Sequence, residues 1–168
     1  MNICVTGHRP SRLYGYDLHN EKWSRLKELF KQILVDRKCD EAISGMALGT
    51  DQVFALAVIE LKEAGYNIKL HCAIPCVNYT SKWIKESVKQ YDEILGKADR
   101  YKIITNAPYK PWMMQKRNEY MVNKSDAVIA VCDGSHSGTL NCIKYAEKQG
   151  KEIIRINPET ICVEKMRR

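Results

Sequence analysis

The sequence predicts an α/β protein: a three-layer sandwich with a mostly parallel central sheet. Three observations carry that reading. Short β-prone apolar runs alternate with helical patterns of roughly 10 to 15 residues, which implies right-handed strand–helix–strand crossovers. The unusual loops, "TGHRP", "SGMALGTD", "IPCVNYTSKW" and "CDGSHSGT", all follow the runs, where ligands sit in such sheets. Finally, 168 residues with 45% apolar and 28% charged composition suffice for one substantial core, so residues 1–168 are read as a single domain ending in the short basic tail "EKMRR".

The elements follow in order. "NICVTG" is a short strand ending at Gly7. Over residues 21–35, Trp23, Leu26, Leu29, Phe30, Ile33 and Leu34 recur at helical spacing and mark one buried face. "DEAIS" is the second strand, and a helix starting at Thr50 or Asp51 runs to Ala64, stopped by Gly65. "NIKLHCAIP" is the third strand, residues 81–95 a helix, and "YKIITN" the fourth strand. A helix over 113–124 feeds "DAVIAVC"; a last helix over 139–148 stops at Gly150 before the strand "EIIRI".

No stretch approaches the roughly 18 to 20 apolar residues of a membrane helix, and "MNICVTGHRP" lacks the pattern of a secretory signal, so a cytoplasmic protein without membrane contact is expected. Seven cysteines without paired zinc-type spacing are read as reduced, and His8, His19, His71 and His136 show no ligand spacing, so neither a metal nor another cofactor is expected. The net charge of +7 favours anions or nucleic acid, although the lysines are dispersed along helices.

The loops supply the candidate site. In "CDGSHSGT", Gly134 and Gly138 free the backbone, and Ser135, Ser137 and Thr139 add hydroxyls beside exposed amides at a helix start, a place for phosphate next to Asp133. Gly45, Gly49 and Thr50 repeat the arrangement after the second strand, and the two turns are expected to grip one nucleotide. Neither is a Walker loop or a full dinucleotide fingerprint. His8 and Arg9 after Gly7, with Arg117 in a later helix, are candidates to hold phosphate or carboxylate. Tyr79, Trp83, Tyr109 and Trp112 flank the same loops and can stack on a base or pack over the sheet. Asp51 at its helix start is either a cap or a functional carboxylate.

Through "TGHR", "SGMALGTD", "KRNEYMVNKSDAVIAV" and "DGSHSGTLNCIKYA", the chain resembles YpsA-type proteins of the SLOG superfamily, the Rossmann-like group that includes the DNA-processing protein DprA and the LOG cytokinin-activating enzymes. The resemblance implies a Rossmann-like fold, a homodimer and a nucleotide-derived ligand near Gly45, Gly49, Gly134, Ser137, Gly138 and Thr139, bound by a sensor or accessory protein. Likeness to LOG enzymes implies the alternative of a nucleoside monophosphate N-glycosidase. Arg117, Gly138 and Thr139 match the LOG pattern, but Cys142 stands at its glutamate, leaving Asp51 or Asp133 to substitute. Likeness to DprA implies a third possibility, an accessory protein that binds single-stranded DNA.

Overall fold

In the computed structural model, which describes residues 1–164, β1 (Asn2–Gly7) sends Ile3 and Val5 into one buried cluster and Cys4 into another. Successive strand residues face opposite sides, so strands covered on both faces read as nearly unbroken apolar runs. The same holds for β5 (Ala127–Val131), in which Ala127, Ile129 and Val131 face one way and Val128 and Ala130 the other.

The first face is covered by α1 (Glu21–Asp36) and α2 (Thr50–Glu63), helped by α3 (Lys85–Gly96). Helix α1 buries Trp23, Leu26, Phe30, Ile33 and Leu34, the stripe its spacing predicts. Its start is set by Asn20, whose side chain accepts the Trp23 N–H at 3.0 Å. The opposite face is covered by α4 (Trp112–Asn123) and α5 (Gly138–Lys148), through Met121, Val122, Cys142 and Ala146.

The remaining strands are β2 (Glu41–Ser44), β3 (Lys69–Cys76), β4 (Arg100–Thr105), β6 (Glu152–Asn157) and β7 (Cys162–Val163). They form one sheet in the order β4-β3-β2-β1-β5-β6-β7. All pairings are parallel except β6 with β7. The chain steps outward from β1 to β4, then crosses back through α4 to β5 on the other side of β1. The order therefore reverses between β1 and β5, at a topological switch point.

Two details depart from the sequence reading. The helix expected from residue 81 begins at Lys85, because 77–83 is spent on turns in which Ser81 N–H donates to Asn78 O and Trp83 N–H to Thr80 O. These turns bring Trp83 edge-on to Tyr79 and Tyr91, with ring centroids 5.0 and 5.6 Å away. Strand β7 has no periodic signal, being two residues long. Of the basic tail, residues 165–168 lie outside the described residues. All seven cysteines are free, six of them buried. No helix among the described residues is long and apolar enough to cross a membrane.

Helix α2 starts hard against the end of β1. A Cβ on Gly7 would lie 2.4 Å from Thr50 Oγ1 and 2.5 Å from its Cγ2, so only glycine admits this approach. Gly7→Ala is expected to cost about 1–3 kcal/mol in denaturant unfolding, as overpacking of a buried site does. Adding Thr50→Ala, which removes the two nearer of the three contacting Thr50 atoms and leaves its Cβ at 2.7 Å, should recover part of that loss; purely additive effects would refute the steric cause.

Candidate functional site

His8 is the pivot of the strand ends. Its N–H donates to Val131 O on β5 at 3.3 Å, and its own carbonyl accepts the Thr50 hydroxyl of α2 at 3.3 Å. Its buried ring donates through Nε2 to Asp133 Oδ1 at 2.9 Å, leaving Nδ1 buried without a partner. The first loop thereby ties together the turns that follow β2 and β5.

The turn after β5 is closed upon itself. Asp133 Oδ1 accepts the Ser135 N–H at 2.9 Å and the Ser135 hydroxyl, and Arg12 donates to Ser135 Oγ. The bonds from Ser135 hold the Asp133 carboxyl well below the usual range, with His8 adding to the effect. An internal carboxylate thus uses donors the sequence reading reserves for phosphate. Gly134 adopts φ 83°, Ser137 caps α5 by accepting the Leu140 N–H at 3.3 Å, Gly138 opens that helix and Thr139 is buried. Cys142, which the resemblance to LOG enzymes matches with their glutamate, is fully buried, and desolvation pushes its thiol up to about 11. It is neutral at physiological pH and supplies no negative charge to a reacting sugar.

The turn after β2 is built around two buried charges. Gly45 O accepts from Arg117 Nη1 at 2.6 Å, and Arg117 Nε donates to Asn118 Oδ1 at 3.2 Å. A Cβ on Gly45 would lie 2.7 Å from Arg117 Cζ and 2.8 Å from Asp51 Oδ2, so the guanidinium and carboxylate close on bare backbone. Arg117 and Asp51 are only 4% and 5% exposed. Asp51 is not the N-cap of α2; that position is Gly49, at φ 90°. Instead, Asp51 Oδ2 accepts the Ala47 N–H at 3.2 Å, and Ser44 Oγ donates to the Asp51 carbonyl at 2.7 Å. Buried Met46 takes the left-handed φ of 61° in this turn, a strain of about 1 kcal/mol that these bonds offset.

A cleft of about 460 Å³ opens at the carboxyl ends of β1 to β4, within the range of small-ligand sites. Its walls are Tyr79, Trp83 and Tyr109, its rim carries Arg9 and Lys82, and Ala47 and Leu48 bring in the turn after β2. Tyr79 links this cleft to the buried charges: burial pushes its phenol up, and nearby Arg117 opposes that shift. Of the residues the sequence singled out as ligand-binding, Arg9 lines the cleft directly, while Asp51 and Arg117 lie behind its wall. None of Asp133, Gly134, Ser137, Gly138 and Thr139 lines it. Trp112 stands outside, 56% exposed. Asn78 and Met114, missed by the sequence reading, also line it; neither has a local pattern that marks it.

Desolvation raises the Asp51 carboxyl above its ordinary value despite Arg117. A carboxyl raised by folding stabilises the protein below its unfolded pKa, and that stability is lost as pH rises through the folded value. Asp51→Asn should therefore gain thermal stability relative to the unsubstituted protein as pH rises from 4 to 8. Paired melting curves across that range check this; a variant that loses ground toward pH 8 would contradict it.

Comparison with known proteins agrees with this architecture. The YpsA family model, described as the YspA SLOG family, matches residues 3–166. The prophage-derived protein YoqJ of Bacillus subtilis, itself described as uncharacterized, is 34% identical over 148 residues, covering 80% of this chain and 86% of its own. The UPF0398 protein BH1768 of Halalkalibacterium halodurans is 31% identical over 163 residues, covering 92% and 86%. Among solved structures, DNA processing protein A of Streptococcus pneumoniae superposes with a TM-score of 0.63 at 15% identity, over 93% of this chain and 50% of that one. The Helicobacter pylori protein, described for its single-stranded DNA binding mode, gives 0.65 at 17% identity over 94% and 65%. The chain thus spans about half to two thirds of these two structures, which share its fold. With the family model matched over nearly its whole length, this chain belongs to the YpsA family of SLOG proteins.

Proposed function

We propose that this protein binds a nucleotide or nucleotide-derived small molecule in the cleft beyond β1 to β4, as a sensor or accessory protein. The observation that carries the reading is the composition of that cleft: three aromatic walls for a flat ring, with Arg9 and Lys82 at the rim for an anion. The buried Arg117 and Asp51 behind Tyr79 support the floor as positioning groups. In this reading the turn after β5 does not cradle the phosphate in its closed form, because Asp133 already takes the Ser135 donors.

A second reading, an accessory role with single-stranded DNA, is supported by the likeness to the Helicobacter pylori protein and by the net charge of +7. The hydrolytic alternative is disfavoured, since α5 offers a neutral thiol at Cys142 where a carboxylate is needed.

Isothermal titration with adenosine monophosphate tests the first reading. Saturable heat is expected, with affinity reduced about ten-fold or more in Arg9→Ala, the effect of losing a charge-assisted hydrogen bond. Arg9 is exposed, so its loss leaves the fold intact, whereas Arg117→Ala should weaken binding together with thermal stability. Absence of heat with well-folded protein, or full affinity in Arg9→Ala, would refute this use of the cleft.

A further inference from the structure

We infer that the outer face of α4, together with the adjoining edge strand β4, is a binding surface for single-stranded nucleic acid, distinct from the cleft. Trp112, Lys116, Tyr120 and Lys124 succeed one another at intervals of four residues along α4 and its C-cap. In a helix that spacing places them in one row. The row alternates aromatic ring and ammonium: Lys116 Nζ lies 5.8 Å from the Trp112 ring centroid, and Lys124 Nζ 5.9 Å from that of Tyr120. Lys102 of β4 adds a third ammonium, 5.2 Å from the Tyr120 centroid.

The lysines of this face differ from the acid-paired ones of α1 and α2. On α1 and α2, Lys27 and Lys31 bond Glu60, and Lys62 bonds Asp99 at 2.6 Å. Lys102, Lys116 and Lys124 meet aromatic rings and, among the described residues, no carboxylate; Glu119, the acid closest to them on α4, bonds none of them. Trp112 is 56% exposed on the surface. Tyr120 is held in place by His71 of β3, which accepts its hydroxyl at 3.2 Å and stacks on it with centroids 5.8 Å apart. Burial, aided by the cations around it, lowers the His71 imidazole, which keeps it neutral and able to accept.

Rings interleaved with unpaired ammonium groups are complementary to a strand that presents bases and phosphates in alternation. The row from Trp112 to Lys124 spans about 18 Å at the helical rise, the length of about five stacked nucleotides. The lysines would leave the rings for phosphates, freeing for bases the Trp112 ring and the face of Tyr120 that does not stack on His71. The adjoining stripe of α4, about 100° further round the helix, carries Met113, Arg117 and Met121 into the interior, so the two roles of this helix lie on neighbouring faces. The proposal rests on the nucleic-acid reading above and not on the occupancy of the cleft.

Fluorescence anisotropy of labelled oligo-dT and oligo-U, titrated with the full chain over a series of salt concentrations, tests it. Binding is expected to weaken with salt, and Lys102→Ala/Lys116→Ala/Lys124→Ala should weaken it further and reduce the salt slope by about 2, at 0.7 per lost phosphate contact. Trp112→Ala should cost about ten-fold in affinity. Arg9→Ala should bind both oligonucleotides like the unsubstituted protein, and the triple variant should retain any heat seen with adenosine monophosphate. Preference between the two oligonucleotides identifies DNA or RNA as the partner. Absence of binding at low salt, an unchanged triple variant, or loss in Arg9→Ala alone would overturn the proposal. So would a triple variant whose sedimentation shows a change of oligomeric state, which would mark the face as a protein contact.

Discussion

A guanidinium sealed under the carboxyl ends of the strands organises this fold. Arg117 gives one donor to the carbonyl of Gly45 and another to Asn118, and it faces Asp51 across a residue with no side chain. A buried charge of this kind is costly unless its bonds are made. The turn after β2, distant in the chain, supplies one of those bonds and the next residue of α4 the other, while Asp51 at the start of α2 adds a facing carboxyl without a direct bond. Helix α4 is the long return crossover from β4 to β5, so anchoring Arg117 to Gly45 also fixes where the chain re-enters the sheet.

The second organising feature is the convergence on His8. Thr50 from one side and Asp133 from the other reach the same short loop, and the absence of a side chain at Gly7 lets α2 approach that closely. The consequence for chemistry is a division of labour. The β5 side is stitched shut by Asp133, Ser135 and Arg12, whereas the β2 to β4 side stays open and aromatic. A carboxylate in a glycine-rich turn competes with any incoming anion for the turn's donors, as Asp133 does for those of Ser135.

Much of the fold was legible because burial on both faces leaves unbroken apolar runs such as "AVIAV", and because the stripe of α1 repeats at helical spacing. The start of α3 was misplaced for a physical reason: "SKWI" has a helix-compatible pattern, but Trp83 packs against Tyr79 and Tyr91 through turns. At the site, Gly45, Asp51 and Arg117 were each visible as residues of interest, yet their meeting depends on a crossover that no local pattern encodes. An arginine on an amphipathic helix reads as solvated, and only the tertiary structure reveals that its side of α4 faces inward. Asn78 and Met114 join the cleft through loop closure, which leaves no periodic trace.

The antiparallel β7 closes one side of the sheet with just two residues, while β4 on the other side runs six residues with its outer edge unpaired. Growth by edge pairing needs two long free edges if it is to continue indefinitely. Among the described residues the sheet offers a single one, guarded by Arg100 and Lys102. Any association through strand addition would end after one twofold-related copy, so the blunted margin at β7 acts as a chain terminator against ribbon formation.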